Sequence, residues 1–219
     1  MVSVEDIKSK YNKGILKCQK LYAAGKPGAT RSTKGKIVED ITKDIIGMAW
    51  SKISSDINRL KMDRKKVIVK TNDETYKLSQ DIHVYIDNVF KISVECKSYT
   101  EVAMYKKILF DSFLMKETVP TIDYFFLVQL ENFMRGDYGK NIEAKGESES
   151  VITLNRLFPD IDIIVITLLD EDREIKKPIH IPEYFKPLRD ERINYAIEKF
   201  KEIMLISQNI NRERLNEVF

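Results

Sequence analysis
"DIHVYIDNVFKISVECK" (81–97) decides how this chain is read. Ile82, Val84 and Ile86 alternate with Asp81, His83 and Tyr85, and Ile92, Val94 and Cys96 alternate with Lys91, Ser93, Glu95 and Lys97. Period-two alternation marks strands, and Asp87-Asn88 between the runs is a good turn pair. The stretch predicts an antiparallel hairpin with one apolar and one polar face. Such a pair sets its first and last residues side by side, so Asp81, Glu95 and Lys97 converge at one end.

Working outward, "SYTEVAMYKKILFDSFLMKE" (98–117) reads as an amphipathic helix starting directly after Lys97. "DYFFLVQLEN" (123–132) and "DIDIIVITLLD" (160–170) are nearly unbroken apolar runs, as expected of central strands buried on both faces. A polar loop and a short helix, "SVITLNRLF", separate them, and "RDERINYAIEKFKEIMLISQ" closes with a helix. Upstream, residues 3–24 have helical spacing, and "GKPGATRSTKGK" (25–36) reads as a Gly-rich loop. A second helix is expected over 36–60, with Gly47 in its interior costing ~1 kcal/mol and wanting a contact to justify it. "KKVIVK" and "ETYKL" are short strand candidates. The order predicts an α/β fold: a single domain with a mixed central β-sheet flanked by helices.

With 219 residues, 43% of them apolar, the chain has material for one large core. No apolar run is long enough to span a membrane and the first residues lack a signal-peptide core, so a soluble, cytoplasmic protein is expected. Cys18 and Cys96 stand far apart, and with His83 and His180 as the two histidines a zinc site is not expected. The net charge of +3 hides an asymmetry: Ile7 to Val38 holds nine basic residues and no acidic one. A one-signed block on a balanced protein suggests a polyanionic partner, the plain alternative being a solvated helix face.

Two carboxylates, a backbone carbonyl and waters make a hard oxygen site suited to Mg²⁺. A lysine beside it can orient an attacking water. The acid-x-Lys tripeptide by itself carries nothing, since it occurs five times; only Glu95-Cys96-Lys97 ends a strand with a second acid brought alongside. In that context Asp81, the hairpin, "ECK" and the following helix resemble the PD-(D/E)xK nuclease core of type II restriction endonucleases and of some repair nucleases and junction resolvases. The resemblance implies catalytic Asp81, Glu95 and Lys97, with Mg²⁺ held by Asp81, Glu95 and the Cys96 carbonyl. "KGKIVEDITKDI" resembles the upstream helix that carries a further acid in many members, which falls on Glu39. Gln80 stands where proline is common. The resemblance places the catalytic core at about 35–130, after a basic helix and loop (1–34) and before accessory loops, a strand and a helix (133–219). It implies hydrolysis of double-stranded DNA at a short palindromic site by a homodimer.

For DNA contacts, the basic loop offers Arg31, Ser32, Thr33, Lys34 and Lys36, and "MRGDYGKN" offers Arg135, Tyr138 and Lys140. Ser98 could approach a phosphate, although capping the following helix is the cheaper role. "KMDRKK" adds further charge, and Gly47-Met48 could push between base steps, though core packing is the simpler use of Met48. Glu39 has an ordinary alternative as an exposed helix residue, and Asp87 lies at the wrong end of the hairpin. His83 is expected to be solvated or hydrogen-bonded on the polar face. Two rivals stand beside the restriction enzyme: a resolvase or repair nuclease of the same core, and a non-catalytic nucleic-acid-binding protein whose Asp81/Glu95/Lys97 cluster is an ion-pair network.

Overall fold
The Asp87-Asn88 turn has both residues at positive φ, 52° and 64°. Asp and Asn tolerate that region better than other non-glycine residues, and a two-residue hairpin loop requires it. In the computed structural model, which describes residues 2–70, 74–132, 149–170, 173–174 and 176–216, this hairpin sits inside a larger sheet. The elements are α1 (Val4–Ala23), α2 (Pro27–Ser51), β1 (Leu60–Asp63), β2 (Val67–Lys70), β3 (Thr75–Leu78), β4 (Ile82–Ile86), β5 (Val89–Lys97), α3 (Val102–Thr118), β6 (Tyr124–Gln129), α4 (Glu149–Leu157), β7 (Ile163–Thr167) and α5 (Asp190–Asn216).

The main sheet has the order β1-β4-β5-β6-β7. β1-β4 and β4-β5 pair antiparallel, while β5-β6 and β6-β7 pair in parallel, with α3 crossing between β5 and β6. The fold is therefore α/β, a single domain with a mixed five-stranded sheet flanked by helices. One face, with Ile82, Val84, Ile92, Val94, Phe126 and Ile166, packs against α1, α2 and α5. The other, with Phe90, Phe125, Leu127 and Val165, packs against α3, α4 and the β2-β3 ribbon.

That second layer corrects the expected wet face of the hairpin. His83 and Ser93 are fully buried, and Lys91 is 1% exposed. Alternation reports which residues share a face but not what covers it, and here α3 and the ribbon do. Lys91 compensates through Asp123, at 2.9 Å. Ser93 Oγ donates to Gln80 Oε1, and Gln80 Nε2 donates to Ser112 Oγ of α3 at 3.0 Å. Gln80, the departure from the nuclease motif, thus ties the strand carrying Glu95 to the helix behind it. His83 is neither solvated nor hydrogen-bonded: it stacks on Phe90, with both ring nitrogens unpartnered.

Three further expectations change. "GKPGATRSTKGK" is not a loop, because α2 begins at Pro27 and Arg31 to Lys36 lie in its opening turns. Gly25, at φ 71°, turns the chain out of α1, and proline suits the first helical position because its missing N–H needs no partner there. α2 then ends at Ser51 rather than near Leu60. The second correction is β1, which sequence patterning missed: it is a four-residue edge strand with one buried side chain, Leu60. β2 and β3 form their own ribbon. Third, α3 starts at Val102 with Glu101 at its N-cap, so Ser98 does not cap it.

Candidate active site
Hairpin geometry brings the three end residues together. Cys96 N–H donates to Asp81 Oδ2 at 2.9 Å, fixing the first acid against the backbone between Glu95 and Lys97. Glu95 and Lys97 form a close ion pair through Oε1 and Nζ. The Glu95 side chain is only 14% exposed, and burial raises its pKa; Lys97 pulls it down, while the nearby Asp81 charge pushes it up. Burial outweighs the pull of Lys97, so the Glu95 carboxyl stands above the usual carboxylate range. Arg64, just past β1, brings Nη2 to 3.3 Å from Asp81 Oδ1.

Glu39 arrives from the opposite layer. It is 8% exposed and accepts from Lys43 Nζ at 2.6 Å and Lys36 Nζ at 3.1 Å. Burial works against its charge, yet the two ammonium groups outweigh it and hold the pKa below the usual range. A cleft of about 370 Å³ places Glu39 across from Asp81, Cys96 and Lys97, with Arg31, Ser32, Gly35, Lys36, Arg64 and Ser98 completing its walls. Glu95 does not line this cleft; it reaches it through Lys97. Gly35 leaves open space where a side chain would stand, since a Cβ there meets nothing within 4 Å.

The donor set fits a hard divalent cation. Two carboxylates, Asp81 and Glu95, flank the Cys96 backbone, and oxygen donors of this kind suit Mg²⁺. The Cys96 thiol is buried, which keeps it protonated and unfit for zinc. Among the described residues no three or more His, Cys, Asp or Glu side chains cluster as a metal site, so any ion there leans on two carboxylates and the backbone.

The expected DNA contacts divide. Arg31, Ser32, Lys36 and Ser98 line the cleft. Lys34, one helical face away, is 5% exposed and lines a neighbouring cavity, and Thr33 faces α1. Arg135, Tyr138 and Lys140 lie outside the described residues. Asp87 stands at the far end of the hairpin, as expected, in a two-bonded pair with Arg59 at 2.7 and 2.8 Å. Met48 is partly buried against the core. Gly47 has no packing reason, since a Cβ there meets nothing within 4 Å. Sequence reasoning missed Arg64 as the partner of Asp81, and also gave no site role to Arg173 or His180.

In an alignment 197 residues long that covers 80% of this chain and 82% of the relative, the chain is 35% identical to the type II restriction enzyme DdeI of Desulfomicrobium norvegicum. This chain belongs to the type II restriction enzymes. It is a type II restriction endonuclease, and the resolvase, repair and non-catalytic readings give way to that membership. Overall size also suggested the archaeal enzyme ThaI, an identity the match does not support. No family model matches the chain, and neither does a solved structure. Among the described residues no helix is long and apolar enough to cross a membrane.

Proposed function
We propose that the enzyme hydrolyses phosphodiester bonds of double-stranded DNA at a short palindromic site, using Asp81, Glu95, Lys97 and Glu39 around Mg²⁺. The convergence of Asp81, bonded to Cys96 N–H, with the Glu95–Lys97 ion pair at the mouth of a cation-lined cleft carries this reading. Asp81, Glu95 and the Cys96 carbonyl would hold the ion. When bound, Mg²⁺ lowers the pKa of a water and stabilises charge on a phosphoryl oxygen.

The remaining work belongs to side chains of this chain. The Lys97 ammonium favours the charged form of Glu95 against its burial and orients the attacking water from the cleft side. Glu39, ionised between Lys36 and Lys43, offers a second acceptor for that water's proton from the α2 side. Arg31 and Lys36 hold phosphates beside the one being cut, and the bare backbone of Gly35 lets the strand approach α2. A two-fold homodimer, each copy cutting one strand, suits a palindromic target, and a cytoplasmic location suits an enzyme that meets DNA.

Digestion of plasmid DNA with Mg²⁺, wild type beside Glu95→Ala and Lys97→Ala, tests the assignment. Discrete fragments from wild type and intact DNA with both variants are expected. Cutting by either variant at the wild-type rate would remove that residue from the mechanism.

A further inference from the structure
We propose that the cavity around Lys34, Arg173 and His180 is a phosphate site that takes a backbone phosphate of the DNA strand next to the one being cut; it rests on the catalytic reading of the adjoining cleft. The cavity, of about 510 Å³, shares Arg31, Lys97 and Ser98 with that cleft, so a strand lying at the catalytic residues runs past its opening.

Its walls hold donors without acceptors. Lys34 is 5% exposed, and its ammonium has no hydrogen-bond or ion-pair partner among the described residues. Glu131, the acid nearest in electrostatic terms, is already bonded to Lys186 at 2.7 Å. Arg173 stacks its guanidinium on Tyr99 at 3.3 Å, and its buried Nε has no partner. His180 is 7% exposed, set edge-on against Tyr22, with both ring nitrogens unpartnered. Burial, reinforced by Lys34 and Arg173, lowers the His180 pKa to about 4, so near neutral pH it contributes a neutral N–H.

Burying a cation unpaired costs free energy, and gathering Lys34 beside Arg173 and Arg31 adds repulsion. An anion with several acceptor oxygens removes both penalties at once, and phosphate fits a set of two cations and an imidazole N–H. The choice of DNA over a free anion comes from the walls shared with the neighbouring cleft, together with the one-signed charge from Ile7 to Val38.

The test uses Lys34→Met, which keeps the length of the side chain, and Arg173→Gln as a second variant less dependent on core packing. Binding of a target duplex in EDTA is followed across salt, and melting with and without millimolar inorganic phosphate. Each variant is expected to bind DNA roughly tenfold to hundredfold more weakly, with the salt slope reduced by about one. Lys34→Met should melt no lower than wild type without ligand, and phosphate should stabilise wild type but not the variant. Wild-type affinity and slope in both variants would overturn the proposal. Phosphate stabilisation lost in Lys34→Met while DNA binding is unchanged would overturn the DNA assignment in favour of a free anion. Glu95→Gln is measured alongside: if wild type cuts DNA, Glu95→Gln binds without cutting, and Lys34→Met binds as tightly, the phosphate site alone fails. Failure of wild type to cut would fault the catalytic reading instead.

Discussion

Replacing Lys91 with Met should destabilise the enzyme heavily without touching Asp81, Glu95, Lys97 or Glu39. Lys91 opens the central part of β5 and is 1% exposed; Asp123, just before β6, has a side chain that is 8% exposed, and their charged atoms lie 2.9 Å apart. Asp123 N–H also donates to the Lys91 carbonyl at 2.8 Å, so the pair sits where the parallel β5–β6 ladder begins. Breaking a buried pair strands the remaining charge, at a cost of about 3–5 kcal/mol. For a chain of this size each kcal/mol moves the melting temperature by about 2–4 °C, so Lys91→Met should melt about 6–20 °C lower. Replacing both partners with apolar residues, Lys91→Met with Asp123→Leu, leaves no charge stranded and should recover most of the loss. Urea melts of the single and double variants at neutral pH measure this, with DNA cleavage well below the melt as the check on the site. A single variant within 1 kcal/mol of wild type, or a double variant as unstable as the single, would refute the reasoning.

His83 should make the protein acid-sensitive: burial lowers its pKa to about 4, so between about pH 6.5 and 4 the unfolded chain binds a proton that the folded one does not. Stability is then intact above pH 6.5 and falls by up to about 3 kcal/mol as the pH drops through that window; His83→Leu should flatten urea-measured stability there, with His180 keeping part of the slope. Gly14→Ala should destabilise by about 0–2 kcal/mol, because the added Cβ would stand 2.5 Å from Ile37 Cγ1 and overpacking exceeds the ~1 kcal/mol helix gain. Gly47→Ala, with open space around it, should instead gain about 1 kcal/mol, and equal denaturation midpoints for the two would contradict the packing argument. Arg64→Ala should lower the Mg²⁺ concentration needed for half-maximal cleavage severalfold, since the guanidinium contacts the Asp81 oxygen that the ion would use; an unchanged titration would show no such competition.

The Asp81–Lys97 hairpin was readable because turn chemistry and alternation are local, and a known turn fixes which strand residues stand opposite one another. The convergence of Asp81, Glu95 and Lys97 at one end of the hairpin therefore followed from the chain alone. Glu39 did not: only its resemblance to a helix of other nucleases placed it near them, and the packing of α2 against the sheet brings it there. Gly28 and Gly35 misled the reading of α2, since both stand where a helix needs no side chain, while Pro27 opens rather than breaks it. β1 was invisible because an edge strand with charged residues lacks the apolar rhythm of a buried one. The cavity of Lys34, Arg173 and His180 joins residues more than a hundred positions apart, which no local pattern records.

One continuous helix, α2, carries Arg31, Lys34, Lys36 and Glu39, and this constrains how such an enzyme can diverge. Each residue in a helix turns the chain by about 100°, so a single insertion between Lys34 and Glu39 would swing the acid out of the cleft or the lysine out of its cavity. Substitutions along α2 are open to drift, whereas changes in its length are closed. New sequence preferences would therefore be expected to arise in the connecting segments, with this helix kept as a fixed ruler between the cut phosphate and its neighbour.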